Sequence, residues 1–185
     1  MSLFGLEGLR QINRLREILA VLARYGFGEL VEQLRLGRFM PSRGKKKGEG
    51  AKGLTTAERV RRVCEELGPS FVKIGQILST RPDLLPPDWI EELSHLQGRL
   101  PNIPFEAIEQ ELIAAWGEAG WRRLPRFDHE PLATASIAQV HRGVLATGEE
   151  VAVKVRRPGI EEQVDIDLRI LKRMAQLAAD HLPDL

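Results

Sequence analysis

Residues Pro131–Lys154, PLATASIAQVHRGVLATGEEVAVK, decide how the rest of the chain is read. The runs VHRGVL and EVAVKV read as two strands joined by a turn at Ala146-Thr147-Gly148-Glu149. Ahead of them lies an alanine-rich loop, Ala133–Ala138, and Lys154 closes the second strand after Val151-Ala152-Val153. Two plainer readings stand beside this one. Lys154 is then a solvated strand-end residue, and ATASIA is the start of a helix with Thr134 or Ser136 as N-cap. The helix reading survives only if the hairpin that follows is ignored.

Val151-Ala152-Val153-Lys154 resembles the V-A-I-K strand of protein kinases, whose lysine reaches the α- and β-phosphates of ATP. The tetrapeptide alone is a weak signal. Upstream, the kinase phosphate loop G-x-G-x-x-G-x-V has a counterpart in Ala133-Thr134-Ala135-Ser136-Ile137-Ala138-Gln139-Val140. Alanine stands at every glycine position and the closing valine is kept. Each added Cβ penalises positive φ and holds the backbone farther from a phosphate. The loop should therefore be stiffer, with altered nucleotide selectivity or restrained phosphotransfer. The lysine brings a point charge to phosphate and the loop brings backbone N–H donors.

A length of 185 residues with 43% hydrophobic content suits one domain or a domain and a half with a sizeable core. The net charge of +1 gives no global field toward nucleic acid. Lys45-Lys46-Lys47 adds no case for it, since no aromatic platform or basic stripe accompanies the triplet. The single cysteine, Cys64, excludes an intrachain disulfide framework and a cysteine-rich zinc site, and reads as a packed small residue. His95, His129, His141 and His181 show no metal spacing, and His141 reads as a strand residue. No run approaches the roughly 18 apolar residues of a membrane span, and no signal peptide is recognisable.

Four segments are expected. Residues 1–40 form amphipathic helices, with Leu6, Leu9, Ile12, Leu15, Ile18, Leu19 and Leu22 in helical period and Arg10, Arg14, Arg16 and Arg24 on or near the other face. Such a segment docks on its own protein or lies on an anionic bilayer. Residues 41–53 read as a flexible basic linker. In 54–125, Thr55 and Glu58 give a capping-box start, and helices follow to Glu66, from Phe71 to Thr80, after Pro87, and from Phe105 to Trp116. The stripe Phe71, Ile74, Ile77 and Leu78 marks the buried face of the second, and the cost of Gly75 there implies close approach of another backbone. Residues 126–185 hold the strands and a last helix opened by Pro158, apolar at Ile160, Val164, Leu168, Leu171, Met174 and Ala178. Its acids, Asp167 among them, invite pairing with Lys154, though a charged amphipathic surface explains them equally.

Lys73-Ile74-Gly75-Gln76 in LGPSFVKIGQILSTRPDLLP, with PLATASIAQVHRG and EVAVKVRRPGI, resembles the UbiB family of atypical, protein-kinase-like proteins, from about Thr55 to the C-terminus. Its hallmarks are a K-x-G-Q helix and an alanine-rich loop. The resemblance implies an α+β fold, mostly helical, in which a kinase-like small lobe of antiparallel strands is preceded by a helical extension. It implies ATP or ADP with Mg²⁺ as ligand, ATPase or restrained kinase activity, and support of ubiquinone biosynthesis. By position, Ala133, Ala135, Ser136, Ala138, Val140, Ala152 and Lys154 become nucleotide contacts, and Lys73, Gly75 and Gln76 the regulatory motif folded over the cleft.

Thr134 stands where the family commonly has alanine, and Gly98 where it commonly has an acid. No His-Arg-Asp or Asp-Phe-Gly occurs, so no catalytic or metal residue is assigned, and the lysine's glutamate partner and the metal ligands are expected beyond Leu185. The expectation is an N-terminal portion of such a protein, catalytically incompetent alone, cytoplasmic and peripheral at the bacterial inner membrane. Its expected partners are adenine nucleotide, an anionic membrane surface or quinone-precursor lipid, and quinone-biosynthesis proteins. The alternative is a non-enzymatic membrane- or partner-binding helical module.

Overall fold

The computed structural model describes residues 3–40, 48–97 and 101–181. The lysine triplet and Gly98 lie outside them. The chain divides into two compact units, one of residues up to Gln97 together with those from Glu161 onward, the other Gly98–Ile160.

The first unit is helical. Helix α1, Leu3–Arg24, is followed by α2, Gly28–Gln33, and short 3₁₀ turns at Gly37–Phe39 and Glu49–Ala51. The buried side chains of α1 include Ile18, Leu19 and Val21, and burying Ile18 and Leu19 contributes about 1.5–3 kcal/mol each. The stripe is not used along its whole length: Leu15, Ile18, Leu19 and Leu22 pack into the core, whereas Leu9 and Ile12 are 56% and 39% exposed. The basic face is mostly committed at home: Arg10 pairs with Glu162, Arg14 with Asp167 and Glu17, and Arg24 with Glu66. Part of the expected linker is packed, since the Gly48 N–H donates to Ala23 at 3.2 Å.

Helix α3, Thr56–Leu67, starts on the expected capping box. The Glu58 N–H donates to Thr55 Oγ1 at 3.2 Å, and the Thr55 N–H to Glu58 Oε2 at 2.7 Å. Helix α4, Pro69–Leu78, and α5, Pro87–Ser94, pack with it. The buried face of α4 carries Phe71, Val72 and Gly75, which corrects the expected stripe. Ile77 is 53% exposed because it lies two residues past Gly75, about 200° around the helix. Gly75 does mark a close approach, but by a side chain rather than a backbone. A Cβ there would sit 2.3 Å from Leu96 Cδ1.

The second unit begins with α6, Phe105–Trp121, which continues past the expected end at Trp116 through a break at Gly117, φ 69°. Four strands follow: β1, Arg126–Phe127; β2, Ala133–Thr134; β3, Ala138–Val144; and β4, Glu150–Arg156. All pairings are antiparallel. β1 and β2 pair with opposite ends of β3, and β4 pairs with it from Ala138↔Arg156 to Val144↔Glu150. Gln139, His141 and Gly143 alternate inward with Val153 and Val155, and the apolar core is closed by Ile103, Ile108, Leu112 and Leu124. Helix α6 therefore belongs to the sheet's core and not to the helices before it, so the compact units cut the chain elsewhere than residues 125 and 126.

Arg157-Pro158-Gly159-Ile160 turns the chain out of β4, with Ile160 N–H donating to Arg157 O at 3.1 Å. Gly159 has φ 68°, the value a type II turn demands at its third residue. Pro158 is thus a turn residue, not the first residue of helix α7, Ile160–His181. On α7 the buried side chains are Ile160, Ile166, Asp167 and Ile170, whereas Leu168 is 53% exposed. The inward face is rotated from the expected one because it includes a carboxylate.

Candidate nucleotide-binding site

The pairing register assembles the expected residues. Ala133 lies opposite Val140, and Val140 opposite Lys154, so these three form one row across three strands. Directly opposed residues share a sheet face. Ala138 and Ala152 project to that same face by the two-residue period. The result is a low, methyl-lined surface with an exposed ammonium. Lys154, Ala152 and Ala133 are exposed, Val140 is half-buried, and Ala138 is buried.

The loop itself is shorter than the alanine-rich stretch. Ala133 and Thr134 are in β2 and Ala138 begins β3, leaving Ala135-Ser136-Ile137 as the connection. The Ala135 N–H donates to Ala138 O at 2.8 Å. None of these residues has a positive φ, so a Cβ at each is accommodated without backbone strain. ATASIA is a hairpin and not a helix. Ser136 is 3% exposed as a whole residue. The N–H groups of Ser136 and Ile137 find no protein partner among the described residues.

Two supports are long-range and were not foreseen. Gln139 Oε1 accepts from Ile103 N–H at 2.8 Å, and its amide nitrogen donates to Ile103 O at 3.4 Å. The same nitrogen lies 2.9 Å from His141 Nε2, while His141 Nδ1 lies 2.8 Å from Asp128 O. A carbonyl only accepts, so Nδ1 carries the hydrogen and Nε2 accepts from Gln139. Thr134 adds a hydroxyl contact to Asn102 at 2.6 Å. Arg157 is the second support: its N–H donates to Ile137 O at 3.0 Å, and its guanidinium reaches Ala135 O and Pro101 O. The Pro-Gly turn that places it was the one signal in the sequence that could have found it.

The other expected groups sit in the helical unit. Lys73 is exposed on α4, and the Gln76 side-chain amide donates to Leu96 O at 3.0 Å. Asp167 is wholly buried and both its oxygens are taken by Arg14 Nε at 2.7 Å and Nη2 at 3.1 Å. That corrects the suggestion that it partners Lys154. Among the described residues, no group of three His, Cys, Asp or Glu side chains could hold a metal ion.

Residues 95–185 match a family described as the ABC1 atypical kinase-like domain. An uncharacterised protein encoded in the 5′ region of hydrogenase 1 in Clostridium pasteurianum is 42% identical over 94% of this chain and 30% of its own length. A protein from Aeromonas hydrophila named probable protein kinase UbiB is 39% identical over 94% of this chain and 33% of its own. A solved structure described as the complex of Rv3197 with erythromycin, from Mycobacterium tuberculosis, shares 31% identity over 69% of this chain and 33% of that one, with a TM-score of 0.41. The family match makes residues 95–185 an atypical kinase-like domain of the ABC1 class. Within that class, the chain belongs to the UbiB family, and it spans about a third of the length of the curated relatives it matches.

Proposed function

We propose that the β2–β3 turn and Lys154 bind the phosphates of an adenine nucleotide, in a UbiB-type protein that supports quinone-lipid biosynthesis. The observation that carries this reading is a pair of adjacent turn amides, Ser136 and Ile137, without protein partners, beside a sheet face whose central row ends in Lys154. Unpaired amides need solvent or a ligand, and oriented N–H groups with an ammonium suit phosphate oxygens. The methyls of Ala133, Ala152 and Val140 give the apolar floor that a flat base or ribose requires.

A bound nucleotide supplies the phosphoryl groups. Lys154 contributes charge, the turn contributes donors, and the Gln139–His141 contacts keep β3 in register with the segment at Ile103. Among the described residues no group of three or more His, Cys, Asp or Glu side chains could hold a metal ion; no step is assigned through Mg²⁺.

The test is a melting curve with and without MgATP for the wild type and Lys154→Ala. A nucleotide-dependent rise that Lys154→Ala removes supports the reading; an equal rise in both overturns it. The role in quinone biosynthesis predicts a lower cellular quinone content on disruption of the gene, and an unchanged content removes that part.

A second reading, contact of α1 with an anionic membrane or a quinone-precursor lipid, is favoured by the exposed Leu9 and Ile12. No helix among the described residues is long and apolar enough to cross a membrane. Flotation with anionic liposomes, with and without residues 1–44, tests surface contact: loss of flotation on deletion supports it, and a chain that never floats refutes it.

A further inference from the structure

The carbonyls of the β2–β3 turn have an unusual owner. In a closed β-turn the first carbonyl accepts from the N–H three residues on. Here no bond runs from Ala138 N–H to Ala135 O; that carbonyl accepts from Arg157 Nε and Nη2, both at 3.3 Å. The next carbonyl held is Ile137 O, by the Arg157 backbone N–H at 3.0 Å, and Nη2 also reaches Pro101 O at 3.1 Å. One residue therefore joins the turn, the segment before α6 and the end of the lysine strand, three positions beyond Lys154.

The geometry of the peptide unit gives this clamp a direction. C=O and N–H of a trans peptide point opposite ways in one plane. Drawing the Ala135 carbonyl toward Arg157 turns the Ser136 N–H away from it, and this is one of the two turn amides without a partner. The charge is not needed for neutralisation, because Arg157 has no carboxylate partner among the described residues, unlike Arg142 with Glu150. Desolvation lowers its pKa from the ordinary arginine value, so a partly buried cation is kept for the sake of carbonyls.

We propose that Arg157 is a positioning residue for phosphate recognition: by holding the Ala135 carbonyl it presents the Ser136 N–H as a donor to the phosphate of a nucleoside di- or triphosphate. This rests on the nucleotide reading given above. It makes the turn and the lysine strand one preset frame, in place of a glycine flap that orders itself on the ligand.

Two substitutions reach the same amide from different sides. Arg157→Ala frees the peptide plane, and Ser136→Pro deletes the N–H itself at the second turn position, where proline is well tolerated. Affinity for ATP and for adenosine is measured by calorimetry on the whole chain, with melting temperatures of the free proteins as control. Each variant should weaken ATP by about tenfold and leave adenosine unchanged. Combining them should cost no more than either alone, the signature of two changes acting through one interaction. Arg157→Gln, which retains a side-chain donor, serves where the alanine variant does not fold, and should fall between wild type and Ser136→Pro.

Equal weakening of ATP and adenosine, or additive losses in the double variant, makes Arg157 a structural residue only and overturns the proposal. Unchanged ATP affinity in Arg157→Ala overturns it while leaving the nucleotide site intact. Absence of ATP binding by the wild type overturns both.

Discussion

Arg14 and Asp167 form a two-point ion pair between α1 and α7, in which the carboxylate is wholly buried and the guanidinium side chain is 13% exposed. Arg14 also donates to Leu67 O at 2.7 Å, pairs with Glu17, and lies 5.8 Å from the centre of the Phe71 ring. Burial works against its charge, yet the hydrogen bonds and charges of Asp167 and Glu17 outweigh it, and the Arg14 pKa is raised above the ordinary value. The pair thus joins helices that are distant in sequence, and it explains why α7 turns an acid inward.

Asp167→Ala should destabilise the chain by about 3 kcal/mol, because it strands a desolvated guanidinium. The loss is near the low end for a buried pair, since Glu17 and the Leu67 carbonyl remain. Urea unfolding measures it. Replacing both partners, Arg14→Met with Asp167→Leu, should recover most of the loss; a double variant as weak as the single one would show that the pair does more than compensate its own burial.

Gly75→Ala sets two effects against each other. Helix propensity favours alanine by about 1 kcal/mol, while crowding a packed core costs about 1–3 kcal/mol. The new methyl would meet Leu96 Cδ1 at 2.3 Å, with Cys64 Sγ at 3.5 Å and Leu93 Cδ2 at 3.8 Å. Leu93 and Leu96 are 1% and 4% exposed and have little room to move. The expected net loss is about 1 kcal/mol, relieved by adding Leu96→Val. A Gly75→Ala chain more stable than wild type would mean that the Leu96 side chain gives way freely.

These residues also show what a linear reading reaches. The Thr55–Glu58 box and the β3–β4 hairpin were legible because each is closed within a few residues by groups whose chemistry is local. Gly75 was legible as an anomaly, but the neighbour it admits is a leucine 21 positions away, which no local pattern names. The inward face of α7 was misjudged for the same reason: apolar periodicity cannot foresee that Arg14, on another helix, draws Asp167 into the core. In the candidate site, the loop and lysine came from spacing. The Arg157 clamp and the Gln139 contacts did not, since they bind backbone carbonyls and amides that carry no sequence signature.

Gln139→Leu should cost at least about 2 kcal/mol, because the buried Ile103 N–H and C=O and the His141 Nε2 would lose their partner together and each unsatisfied group costs about 1–3 kcal/mol. Hydrogen exchange at the Ile103 amide should accelerate more than at amides in the middle of β4. Uniform acceleration across the sheet would place the loss in packing rather than in this contact.

Cys64 gives the chain an alkaline dependence whose sign can be worked out. Burial, with a smaller push from Glu65, raises its thiol from 9.0 to about 12. Between those values the folded chain keeps a proton that the unfolded chain has released, so stability falls as pH rises through that window, by at most about 1.4 kcal/mol per pH unit. Below about pH 9 both states are protonated and the thiol contributes no slope. Denaturation curves of wild type and Cys64→Ala should therefore run parallel up to about pH 9, with the wild-type advantage shrinking above it. Other titrating groups cancel in the difference between the two proteins. Curves that stay parallel to pH 11 would show that the packing around Val63, Leu67 and Leu96 opens to admit a thiolate, and in that case a thiol reagent at pH 8 should label the native protein as fast as the unfolded one.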